Sequence, residues 1–257
     1  MVNYLGYRGS DADTAWGRFF DPRMAPLPGH VVQALQHGPQ ADPTLLEFDS
    51  APSLLDPSYH QTENGYGTLR DGGFHVAVRT DMPGVTPNMW TWWFGWHGND
   101  ARRYKLWHPR AHVSAQWSDR GGAGHYIGRT SLVIEYIGSA HQRAAIRFVD
   151  PAELGLAVDV DQVAICARLA SPDLPVDVGW LIHHVRPTET GSEMRSRFWM
   201  GGQYVAVRHG NRLADKVVRR IAARMLPDPR DLLVHCAQEM NHLAVFLPEL
   251  HGALGDR

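Results

Sequence analysis

The run Asp228-Pro-Arg-Asp-Leu-Leu-Val-His-Cys-Ala-Gln-Glu-Met-Asn-His-Leu-Ala-Val-Phe-Leu-Pro-Glu-Leu250 constrains this chain more than any other stretch. It predicts a long helix with a defined start. Asp228 suits the N-cap, Pro229 the first helical position, and Asp231 the positive N-terminal end. Leu232, Cys236, Met240, Leu243 and Leu247 form an apolar stripe at helical spacing, which must be buried against another layer. His235, Glu239 and His242 follow i, i+4, i+7 and project to one side. An imidazole and a carboxylate one turn apart can reach one metal ion. A solvated polar face, or a histidine packed against its neighbours, accounts for the same spacing.

The 257 residues are 44% hydrophobic, enough for one substantial core with a small accessory segment. A net charge of −2 without long runs of one sign argues against nucleic acid or an anionic membrane as partner. No apolar run is long enough to span a bilayer, and no signal peptide is visible. Two cysteines, Cys166 and Cys236, favour a reducing compartment over a disulfide framework, so the cytoplasm is the expected location. The count of 15 His and 9 Trp is high, favouring metal or proton chemistry beside flat apolar walls.

Residues 1–68 are punctuated by Asp21-Pro, Gly38-Pro, Asp42-Pro, Ala51-Pro and Asp56-Pro. They read as an arm with a short helix over His30–His37, anchored by Tyr7, Trp16, Phe19 and Phe20. Residues 69–257 read as the main domain. Thr86 and Pro87 open a helix whose Met89, Trp92, Trp93 and Trp96 share a face. Strands are predicted over Phe74–Arg79, His112–Trp117, Ser131–Gly138, Gln162–Leu169, Gly179–Pro187 and Glu193–Met200, and a basic helix over Asn211–Leu226. Period two puts His112, Ser114 and Gln116 on one face, opposite Val113, Ala115 and Trp117. Glu135 shares a face with Val133 and Ile137. A carboxylate there needs a metal, an arginine or an exposed edge to explain it. His183 and His184 point to opposite faces, so one of them faces the interior. The expected architecture is α+β: a curved antiparallel sheet around the long helix, with a pocket between them.

Several runs, in order, resemble the 2,4-diacetylphloroglucinol hydrolase and phloretin hydrolase family. They are Trp92-Trp-Phe-Gly-Trp-His97, Arg103-Tyr-Lys-Leu-Trp-His-Pro-Arg-Ala-His112, Val133-Ile-Glu-Tyr-Ile-Gly138, Met194-Arg-Ser-Arg-Phe-Trp-Met-Gly201 and His235-Cys-Ala-Gln-Glu239. The likeness spans residues 65–250, with a weaker echo in Tyr4-Leu-Gly-Tyr7. It implies a helix-grip fold of the Bet v 1 and START kind, an N-terminal segment used in a homodimer, and zinc held by His112, Glu135, His235 and Glu239. It also implies hydrolysis of the carbon–carbon bond joining an acyl group to a phenolic ring, with Tyr104 holding ring hydroxyls. Ala115 and Phe198 depart from the asparagine and tyrosine expected of the phloroglucinol enzymes, which loosens the expected hold on a polyhydroxylated ring.

Trp92, Trp93, Trp96 and Trp199 are expected as pocket walls. His184, ahead of His183 and Tyr104, is expected to move protons. His242 is the rival ligand on the long helix. A hydrophobic-ligand carrier with a structural zinc is the competing reading. Mixed His/Glu ligation argues against it, because structural zinc favours cysteine.

Overall fold

The computed structural model describes residues 5–255 except 123, 211, 224 and 225, and gives no side chains for 212, 216 and 217. Tyr4 of the N-terminal echo and Asn211 at the start of the expected basic helix lie outside the described residues.

Among the described residues, nine strands form one antiparallel sheet: β1 (Gly65–Thr68), β2 (Gly73–Pro83), β3 (His112–Trp117), β4 (Thr130–Ile137), β5 (Ala140–Val149), β6 (Val163–Ala170), β7 (Val176–Thr188), β8 (Gly191–Gly201) and β9 (Ala206–Val207). Their order is β1-β2-β8-β7-β6-β5-β4-β3, with the short β9 pairing β7. The helices are α1 (Gly29–His37), α2 (Pro87–Trp96), α3 (Ala101–Trp107), α4 (Arg212–Ala222) and α5 (Pro229–Leu254). The sheet grips α5, whose N-cap is Asp228: its carboxylate accepts the Arg230 N–H at 2.8 Å. This is the expected helix-grip arrangement. Among the described residues, no helix is long and apolar enough to cross a membrane.

Both faces of the sheet are covered, and this decides which side chains can reach the interior. On β8, Met194, Phe198 and Met200 join the core that also holds Leu232, Cys236, Met240 and Leu247 of α5. The alternate β8 residues point the other way. Trp199 packs there with Leu45, Ala51 and Leu54 of the N-terminal segment. Buried Arg195 and Arg197 meet Glu63 at 2.7 and 2.6 Å. The segment before β1 therefore covers the outer face of the sheet, and β1 itself begins at Gly65, four residues before the expected start of the main domain.

The β4–β5 hairpin turns at Gly138, where φ is 60° and a Cβ would collide with the Asp231 carboxylate. Only glycine accepts that conformation at that approach. The turn seats the end of β4 against the first turn of α5, which brings Glu135 opposite His235.

Candidate metal centre

His112 and Glu135 are cross-strand partners of β3 and β4, and the register shifts between His112 and Ser114. That bulge corrects the strict alternation expected for β3. The extra residue returns Ala115 and Trp117 to the inner face, beside Val133 and Ser131, while His112 stays inside as well. His235 and Glu239 come from α5, one turn apart.

The four side chains converge. His112 Nε2 lies 3.5 Å from Glu135 Oε2 and 3.3 Å from Glu239 Oε2. His235 Nε2 lies 3.5 and 3.7 Å from the same two oxygens. Ligand atoms of His112, Glu135 and His235 all fall within 4.8 Å of one another. These are the four residues that the family resemblance implies. His242 is directed elsewhere: its Nδ1 accepts the Ala25 N–H at 3.3 Å, under the N-terminal segment.

Proton placement argues for a cation here. His112 Nδ1 is 2.8 Å from the Tyr104 carbonyl, which can only accept, so Nδ1 carries the hydrogen. The bare Nε2 is buried without a hydrogen-bond partner and faces two carboxylate oxygens. Burial, and then the neighbouring imidazoles of His235 and His108, hold His112 well below the usual histidine range. With Glu239 deprotonated, the bare Nε2 and the two carboxylates form a donor set that suits a divalent ion. Burial pushes the Glu239 carboxyl up to about 8, with the Glu135 charge adding to it. Burial disfavours the His235 imidazolium, but the hydrogen bond to Glu135 and the two carboxylates outweigh it and raise His235 to about 8. Tyr104 donates its hydroxyl to Glu135 Oε2 at 2.5 Å and stacks on His112 with ring centres 3.7 Å apart. Burial and the two carboxylates keep that phenol protonated, so it acts as a donor and not as a base.

The centre lies in the wall of a cavity of about 280 Å³. Phe198 lines it, as expected, together with Phe94, Trp107 and Phe148. The expected walls Trp92, Trp93, Trp96 and Trp199 do not line it, nor does Ala115, a core residue paired with Val133. Trp92 stacks on Trp96 with centres 5.0 Å apart, and Trp93 packs between Trp96, His97 and Trp107. Trp199 sits on the outer face, where its indole N–H donates to the Leu46 carbonyl at 2.7 Å.

The placement also reverses the choice between adjacent histidines. His184 faces the outer layer, 2.7 Å from Gln162 Oε1, so it cannot serve the cavity. His183 lines the cavity, with Nδ1 2.7 Å from Ser196 Oγ, and burial lowers its pKa to about 3. Sequence reasoning missed two further polar groups. His97 lines the cavity; its Nδ1–H donates to the Trp93 carbonyl at 2.8 Å, which leaves Nε2 bare. Ser131 also lines it, with a buried hydroxyl that has no partner. The run Trp92–His97 carried a signal for His97, but its tryptophans drew the reading to themselves.

Residues 45–252 match the family model described as the DAPG hydrolase PhiG domain. The chain belongs to the DAPG hydrolase family. It is similar to a 2,4-diacetylphloroglucinol hydrolase from Pseudomonas protegens, with 30% identity over 98% of this chain and 88% of that protein. A phloretin hydrolase from Eubacterium ramulus is 28% identical over 96% of this chain and 93% of its own length. Among solved structures, a Thalictrum norcoclaurine synthase overlaps with TM-score 0.39 and 16% identity, covering 67% of this chain and 96% of that one.

Proposed function

We propose that this protein hydrolyses the carbon–carbon bond between an acyl group and a phenolic ring, using zinc held by His112, Glu135, His235 and Glu239. The observation that carries the reading is the bare, buried Nε2 of His112 facing two carboxylates in the wall of an aromatic cavity. Family membership and the two hydrolases above support the choice of bond and substrate class. Zinc fits the mixed imidazole and carboxylate donor set.

The reaction adds water across one bond: the hydroxyl goes to the acyl carbon and the hydrogen to the ring carbon. Breaking an aryl–acyl bond is difficult because the ring must leave with the electron pair. Hydroxyls ortho and para to the acyl group relieve this by letting the ring tautomerise to a ketone, so that the bond resembles one in a β-diketone. When bound, zinc would polarise the acyl oxygen and lower the pKa of water.

The chain's own residues supply binding and proton transfer. Trp107, Phe94 and Phe198 give flat apolar faces to the ring. His97 and His183 remain neutral, because burial drops His97 to about 4 and His183 to about 3. A neutral imidazole can take a proton from water and return it to the ring carbon. Tyr104 fixes the Glu135 carboxylate. The Ser131 hydroxyl and the Trp107 indole N–H, both buried without partners, can bind ring hydroxyls where Ala115 and Phe198 cannot. The test is chromatography of products from acylphenols bearing one, two or three ring hydroxyls. Release of the free phenol and the carboxylic acid supports the reading; intact substrate with every member overturns it.

A further inference from the structure

Resting on the acylphenol reading above, we infer that the preferred acyl group carries an extended, uncharged apolar chain. The chain lies along β6 and β7 toward α4, while the phenolic ring occupies the opposite end of the cavity. The cavity is longer than a small acylphenol. Along β7 its lining runs from His183 through Leu181 and Val178 to Val176. Those seven residue steps cover roughly 23 Å at about 3.3 Å per residue. A phenol ring with an acetyl group fills less than half of that length.

Polarity is sorted along this axis. His97, Tyr104 and His183 cluster near Phe94 and Trp107 at one end. The ligand cluster adjoins Tyr104, and the rest of the wall includes Leu169, Val178, Val218, Leu226 and Leu232, the last one turn before His235 on α5. A ring placed among the polar groups has its acyl carbon beside the ligands, and the acyl substituent then points into the apolar part.

The far end also rejects charge. Its polar residues are Arg143 and Ser171, whereas Gln142 pairs with Glu135 beside the ligand cluster. The Arg143 guanidinium is taken by Asp173 at 2.6 and 3.2 Å. Ser171 Oγ accepts the N–H groups of Asp173 and Leu174. Among the described residues lining this end, the one cation, Arg143, already has its acidic partner, so a carboxylate or phosphate tail gains no free cation from them. Instead Leu174, before β7, and Ile221, on α4, stand at this end 53% and 57% exposed. Two large aliphatic side chains on separate elements at an opening are what a passing apolar chain would desolvate.

The test is a series of monoacylphloroglucinols from acetyl to octanoyl, assayed with the zinc-loaded protein. We expect kcat/KM to rise about two- to fourfold per methylene until the chain reaches the opening. The substitution Val218→Asp, on α4, should lower the octanoyl-to-acetyl ratio at least tenfold. This ratio is internal to each preparation and is insensitive to the fraction folded. Cleavage of all members with no dependence on length, or an unchanged ratio in Val218→Asp, overturns the inference while leaving C–C hydrolysis standing. Calorimetric affinity for the same series reads the chain site separately. Affinity that rises with length without any cleavage supports the chain site and overturns the hydrolase reading. Affinity that is flat with length overturns the chain site.

Discussion

At the scale of single residues, adjacent His183 and His184 face opposite layers, the first lining the cavity and the second the outer layer. His183→Ala should lower kcat by about 100- to 10,000-fold, the usual contribution of a positioned acid or base. His184→Ala should leave kcat near wild type and cost about 1–3 kcal/mol of stability by leaving buried polar partners unsatisfied; steady-state kinetics and urea melts distinguish the two. The ligands make a second expectation. His235→Ala and Glu239→Ala should lose metal and activity together. Tyr104→Phe, which removes only the donor to Glu135, should weaken metal affinity about 10- to 100-fold; metal-buffered titration reads this directly.

The ligand pKa values also fix a pH dependence. In the metal-free protein, the raised His235 gives stability that is present below its ordinary value near 6.5 and is lost as pH rises through about 8. Glu239 is likewise raised to about 8, so above the ordinary carboxyl range its folded form is increasingly penalised. Both make the metal-free protein less stable as pH rises toward 8. Zinc needs these groups deprotonated, so its binding strengthens over the same range. The gap in Tm between loaded and metal-free protein should therefore widen from pH 5 to 8; a gap that narrows would contradict the assignment.

At the scale of elements, the outer layer is held to the sheet through Glu63, which bridges buried Arg195 and Arg197. Glu63→Ala strands two guanidinium groups and should cost about 3–5 kcal/mol in chemical denaturation. The elements legible in the sequence were those with strong local signals. Asp228-Pro marks the start of α5, Thr86-Pro87 that of α2, alternation marks β2, and an apolar β-forming run marks β4. β5 was not legible, because His141, Gln142, Arg143 and Arg147 break its apolar pattern, although Ala144, Ile146 and Phe148 line the cavity. α3 is seven residues long and carries consecutive charges, too short for helical periodicity to show.

At the scale of the whole molecule, the four converging side chains proposed as ligands were legible and most of the cavity wall was not. The ligands are rare residue types in improbable settings, such as a carboxylate within an apolar strand, and the family resemblance tied them together. The tryptophans share a helix face, but spacing alone does not say whether that face meets a cavity or other tryptophans. The parity of β7 separated His183 from His184 without telling which is inside, since both faces of the sheet are covered. Strict alternation also put Ala115 opposite His112, because one bulge reverses parity and leaves little trace in sequence.

The central claim is hydrolytic C–C cleavage dependent on the four-ligand centre. The most direct measurement is mass spectrometry of the products formed in heavy-oxygen water, as zinc is titrated into chelated protein. The account predicts free phenol, one heavy oxygen in the carboxylic acid, and yield that rises with zinc to one ion per chain. Cleavage at full rate with no metal bound, or no cleavage at one zinc per chain, would contradict it.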